Sequence, residues 1–137
     1  MKKILPLFLT FLFFSCAEDD VDTMKLQSVY TEIEITNCQS MSFNITSQFG
    51  TGSFTCSGNN YTFTTNTYQA SVIENTSFIY QLSILPTSYN FTSCIDIVTK
   101  VYHNNSLYET RNYSIGLPPL SCSEIYGVSE MYSIIAD

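Results

Sequence analysis

The chain has no tryptophan, a single histidine (His103) and only five lysines and arginines among 137 residues. Each shortage excludes something. One imidazole supplies at most one base for a hydrolase triad, and no GxSxG or comparable nucleophile motif accompanies it. The five cysteines include no CxxC pair and their spacings are long, so with one histidine a zinc site is not expected. Few cations make nucleic acid and anionic lipid poor electrostatic partners. No apolar run approaches the ~20 residues of a membrane-spanning helix. The longest, residues 4–14, is interrupted by Pro6 and Thr10.

That run nevertheless has neighbours that give it a meaning. Lys2 and Lys3 precede it, and Ser15 and Cys16 follow. Basic start, apolar middle and a small residue before cysteine form the layout of a signal peptide cut before a cysteine that becomes lipidated. Residues 1–15 are therefore a lipoprotein signal peptide, residues 16–23 an acidic tether, and residues 24–137 a single domain. Two or more acyl chains on Cys16 would anchor the protein stably.

The segment Phe13-Phe14-Ser15-Cys16-Ala17-Glu18-Asp19-Asp20 resembles the lipoproteins of the Bacteroidota, the flavobacterial ones especially, over about residues 1–22. The resemblance implies that Glu18, Asp19 and Asp20 act as an export signal to the outer face of the outer membrane, with a periplasm-facing or secreted protein as the alternative. Asp22-Thr23-Met24 is similar to the short acceptor of protein O-glycosylation in that group, which makes Thr23 a candidate glycosylation site.

Without the signal peptide, 122 residues remain, carrying three cations against twelve acids, a net charge of −9. Such acidity favours solubility and repulsion between neighbours. Ten tyrosines, ten phenylalanines and many Ser, Thr and Asn describe an exported β protein. The four cysteines after Cys16 read as two disulfides in an oxidising compartment. Three pairings are open. Cys38–Cys56 and Cys94–Cys122 need the least long-range geometry, and each loop would contribute about 3 kcal/mol.

A two-residue apolar period runs through residues 29–35, 41–45, 61–65, 68–72, 78–84, 91–102 and 107–115. Turn signals separate these runs, including Ser57-Gly58-Asn59-Asn60 and the hairpin His103-Asn104-Asn105-Ser106. Residues 91–102 are the longest expected strand. The tail, residues 124–135, fits a helix through Ile125, Val128, Tyr132 and Ile135, while Gly127 and the β-branched residues favour strands. The expected class is all-β, an antiparallel sandwich resembling immunoglobulin-like modules, with a lipocalin-like closed barrel as the alternative.

Polar candidates for chemistry read as structural. His103 is expected on a solvated hairpin tip. Glu32 and Glu34 share one face of a strand taken as an edge, where carboxylates keep a sheet soluble. Glu18, Asp19, Asp20 and Asp22 lack the glycine-containing loop of a calcium site. Asn-x-Ser/Thr triplets begin at Asn44, Asn60, Asn75, Asn90, Asn104 and Asn112, and are read as turn asparagines. Residues 54–63, with an aromatic-x-Cys-x-Gly opening at Phe54, are similar to the start of the membrane-bound C-type lysozyme inhibitors, small barrel lipoproteins. That family's Ser-Gly-x-x-Tyr element and tryptophan are absent.

The expectation is a non-enzymatic, outer-membrane-anchored surface lipoprotein. It is a binding or adhesion module for an extracellular protein or glycan and needs no cofactor or metal. The alternatives are a small-ligand barrel and a hydrolase-inhibitor or immunity lipoprotein. Cys16→Ala should abolish incorporation of radioactive palmitate and leave uncleaved or soluble protein; a mutant that still labels contradicts the anchor.

Overall fold

A computed structural model describes residues 23–48, 50–56 and 58–137. The signal peptide, Cys16, Glu18, Asp19 and Asp20 lie outside these residues. Nine strands follow one another: β1 (Met24–Thr36), β2 (Ser42–Ser47), β3 (Gly50–Thr55), β4 (Asn60–Thr64), β5 (Tyr68–Ile73), β6 (Ser77–Pro86), β7 (Ile95–His103), β8 (Ser106–Ile115) and β9 (Val128–Ile135). They form two antiparallel sheets packed face to face. The first runs β4-β1-β7-β8, with β5 also pairing β1; the second runs β3-β2-β6-β9. The sheets do not close on each other, so the molecule is a sandwich and the barrel alternative falls.

The sandwich follows from alternation. On β1, Val29, Thr31, Ile33 and Ile35 are fully buried while the intervening residues face out. Ile95, Ile97, Thr99 and Val101 of β7 do the same from the next strand. The second sheet answers with Phe43, Ile45, Leu82, Ile84, Val128 and Ile134. Side chains from the two inner faces interdigitate to form one core.

β1 is the longest strand, at 13 residues, and it is central rather than an edge. β7 pairs with it from Val29 to Thr36. The other flank is shared: β5 pairs with residues 24–29 and β4 with residues 32–36. Thr65 bridges the joint, donating its N–H to the Thr31 carbonyl at 2.9 Å and accepting the Thr31 N–H on Oγ1 at 2.9 Å.

Three further expectations change. The strand expected over residues 91–102 begins only at Ile95, because Cys94 ties the preceding loop elsewhere. The ambiguous tail is strand β9, held over its length by pairing with β6. The segment likened to the lysozyme inhibitors ends β3 in one sheet and enters β4 in the other, within an open sandwich. The expected hairpin at Asn104-Asn105 is present, and both asparagines have positive φ, 47° and 64°, as a type I′ turn requires. Of the triplet asparagines, Asn75 also turns with positive φ, but Asn44 and Asn112 lie mid-strand.

Both disulfides form, Cys38–Cys56 and Cys94–Cys122, with Cα–Cα distances of 6.1 and 5.8 Å. Gly116 is required by the second. A Cβ on Gly116 would stand 2.3 Å from Cys122 Sγ, far inside contact distance. Gly116→Ala should therefore cost about 1–3 kcal/mol in denaturant unfolding, the range for overpacking. The cost should shrink after reduction, when the sulfur is free to swing away. Equal stability of the two oxidised proteins would show that the close approach is not real.

Candidate functional site

Strand directions divide the molecule into two ends. Thr23 lies at one, exposed, its carbonyl accepting from Glu74 N–H. β1 carries the chain to the other end, on the order of 40 Å away at about 3.3 Å per residue. There, four connections converge: residues 37–41, 56–59, 87–94 and 116–127. All four paired cysteines lie in them.

These connections are tied into one unit. Cys38–Cys56 joins the first to the second, and Cys94–Cys122 joins the third to the fourth. Gln39 joins the first to the third. Its Nε2 donates to Ser93 O and Oγ at 3.1 and 2.8 Å, and its Oε1 accepts from Thr92 N–H and Oγ1 at 3.0 and 2.9 Å. Tyr89 and Tyr126 meet edge to face, ring centroids 6.0 Å apart, a second contact between the third and fourth.

The first connection is conformationally unusual. Asn37, Gln39 and Ser40 all have positive φ, 57°, 52° and 58°, a region that L-residues other than glycine seldom occupy. Such residues persist where surroundings over-determine them, and they gather at functional sites. Gly127, at φ 151°, is where the fourth connection enters β9, and a Cβ there would meet Ile84 O at 2.7 Å. The surface of this end is mostly uncharged. Tyr126 is 65 % exposed, Ile125 49 % and Tyr89 45 %, among Ser, Asn and Thr.

The carboxylates expected to be idle on an edge are engaged on the outer face of a central strand. Glu34 pairs with Lys100, and Glu32 accepts from Tyr102 Oη at 3.2 Å. Tyr102 stacks on Tyr30 at 4.8 Å. The hydrogen bond to Glu34 holds the Lys100 ammonium above its ordinary value, and burial, then the Glu32 contact, raises the Tyr102 hydroxyl. Glu34 and Lys100 are partly exposed, at 38 % and 30 %.

His103 is also corrected: it is buried, not solvated. Its Nε2 lies 2.6 Å from Gln27 Oε1, an acceptor, so that nitrogen carries the proton. Gln27 Oε1 also accepts from Asn104 Nδ2 at 3.0 Å, and Asn104 Nδ2 reaches Asp137 Oδ1 at 2.7 Å. This network fastens the β7–β8 hairpin to β1 and to the segment after β9. It sits at the Thr23 end, far from the cysteines.

One group escaped the sequence reading. Glu130 of β9 points between the sheets, its side chain 3 % exposed. Neither carboxylate oxygen has a hydrogen-bond partner among the described residues. Arg111 Nη1 stands 4.0 Å from Oε2, but Arg111 is committed to Glu109 through Nε at 2.7 Å and lies over the Tyr132 ring at 4.3 Å. The nearby Thr99 hydroxyl is engaged with Tyr132 Oη at 3.2 Å. Burial pushes the Glu130 carboxyl up to about 7, against the opposing pulls of Arg111 and of the Thr99 hydroxyl, which lies near the carboxylate without meeting hydrogen-bond geometry. Glu130 shares strand parity with Val128, Tyr132 and Ile134, so reading the tail as a strand would have placed it inside.

No protein-family model, curated protein or solved structure matches the chain.

Between pH 4.5, the ordinary value, and about 7, the folded protein keeps on Glu130 a proton that the unfolded chain releases. Stability conferred by this group therefore falls as pH rises through that window, by about 3 kcal/mol in all. Urea unfolding of wild type should weaken from pH 5 to pH 8 relative to Glu130→Gln, whose profile lacks this slope. Parallel profiles would contradict the buried, unsatisfied carboxylate.

Proposed function

We propose that this is a non-enzymatic lipoprotein, anchored through Cys16 on the outer face of the outer membrane, that presents the disulfide-clamped end of its sandwich to an extracellular protein or glycan. The observation that carries this reading is the opposition of ends. The tether leads into Thr23, and four connections tied by Cys38–Cys56, Cys94–Cys122, Gln39 and Tyr89–Tyr126 lie at the far end of β1. A tether at one end directs the other away from the membrane. Rigid aromatic side chains beside Ser and Asn combine large contact area with adaptable hydrogen bonding, and exposed tyrosines are frequent energetic anchors in interfaces. Connections held in place before binding lose little entropy on binding.

The test uses intact cells displaying the full chain, probed with arrays of glycans and extracellular matrix proteins. The array partner that wild type captures should be lost about tenfold or more when Tyr89 and Tyr126 are both replaced by Ser, a loss expected of anchor residues. Glu32→Gln, on the flank of the first sheet, should leave capture unchanged. The reverse pattern would move the binding surface off this end and refute the reading.

A further inference from the structure

The edges of the two sheets are unequally guarded. At β9, Glu130 is turned inward and Tyr108 Oη donates to Ser133 O at 2.6 Å. Inward charge and a covered carbonyl discourage the approach of another strand. β3, the opposite edge of the same sheet, has neither device. Among the described residues it pairs with β2 alone, and Gly50–Thr55 contains no charge and no proline. The bareness extends beyond β3. Residues 35–73, which hold β2 to β5, include no Asp, Glu, Lys, Arg or His in a chain with twelve acids.

Beneath this edge, toward the Thr23 end, the sheets part into an open cleft of about 80 Å3. Ile45 and Phe63 form its apolar part, and Thr65 and Asn66 contribute its polar rim from the first sheet. The cleft exists because β3 sets glycine there. Gly52 pairs with Ile45 on the inward parity, and a Cβ on it would have only the Phe63 ring within reach, at 3.9 Å.

We propose that the β3 edge and this cleft form a strand-addition site for an extended segment of another protein, one that carries an aliphatic side chain where it passes Gly52. An unpaired strand edge is satisfied by a strand, whose main chain supplies the hydrogen bonds and whose alternate side chains enter pockets. The cleft beside the edge asks for an apolar group. A second copy of this chain does not supply it. Its own β3 would bring Gly50 and Gly52, and its one large inward residue, Phe54, is already stacked with Phe43, Tyr61 and Phe63 at 5.5, 4.7 and 5.4 Å. The overall charge of −7 disfavours an acidic segment and leaves an uncharged or basic one. The site is separate from the disulfide-clamped end and does not depend on its role.

The test measures fluorescence anisotropy of labelled heptapeptides with the full chain in detergent. The probes alternate threonine with valine, threonine with glycine, and glutamate with valine. The threonine–valine peptide should bind about tenfold or more tighter than the threonine–glycine peptide, as expected from burying an aliphatic side chain, and tighter than the acidic one. N-methylation of alternate peptide amides should abolish binding for one set of amides and spare it for the other. Gly52→Val, which fills the cleft, should weaken binding about tenfold by the same burial argument. Tyr126→Ser should leave it unchanged. Absence of binding at about 1 mM peptide, the weakest affinity worth the name, would overturn the site. So would equal binding of the valine and glycine peptides, or indifference to both patterns of N-methylation, which needs no protein variant to fold.

Discussion

Alternating burial along β1 fixes where everything else can go. Its inward residues Val29, Thr31, Ile33 and Ile35 are fully buried, and the residues between them include Glu32 and Glu34. A slip of one residue against β7 would exchange these sets. Three aliphatic side chains would go to water and two carboxylates into the core, where even paired charges are costly. The register of β7 is thereby specified, and through it that of β8. On the other flank the joint between β4 and β5 falls at Thr31, where Thr65 supplies both hydrogen bonds that a continuous strand would have made. One long strand thus organises the first sheet, and its two termini define the two ends of the molecule.

An open sandwich has two long sides, and this one closes them by different chemistry. Between β3 and β4 the closure is aromatic, with Phe54 stacked against Phe43, Tyr61 and Phe63. Between β8 and β9 it is polar, with Arg111 spanning Glu109, Glu130 and the face of Tyr132. The second solution includes a carboxylate with no hydrogen bond, which costs stability at neutral pH. What it confers is protection, because a charge facing inward makes β9 a poor template for a foreign strand. The aromatic side is stable without charge and is open to one.

Much of the fold was legible because it rests on period and on turn chemistry. Alternation identified seven of the nine strands, missing β3, whose Gly50 and Gly52 suit a turn, and leaving β9 open; Asn104-Asn105 identified its hairpin, since both positions need positive φ. Of the three cystine pairings left open, the one with the shortest sequence distances is the one that forms. What escaped depends on neighbours that a single strand does not reveal. Glu32 and Glu34 looked like edge residues because nothing local says that β1 has strands on both sides. His103 looked solvated because Gln27, its partner, is 76 residues away. Glu130 was hidden by an apolar spacing in the tail that suits a helix as well as a strand. Gln39 carries no sequence signal, since its amide acts only when β6–β7 is brought beside it.

That last residue bears on how the far end holds its shape. Asn37, Gln39 and Ser40 occupy a left-handed backbone region that costs on the order of 1–3 kcal/mol each. Isolated, the connection would relax. It is flanked instead by a cystine at Cys38, by the Gln39 amide bonded on both of its polar atoms to Thr92 and Ser93, and by Asn37 Nδ2 reaching Asp96 Oδ2 at 3.4 Å. Ser93 and Thr92 are themselves next to Cys94, so the two cystines are coupled through one side-chain amide. The strain is therefore distributed over a chain of tied connections rather than carried by any single loop. A surface tied in this way has little conformational freedom to lose on binding, and it holds Tyr89 and Tyr126 exposed.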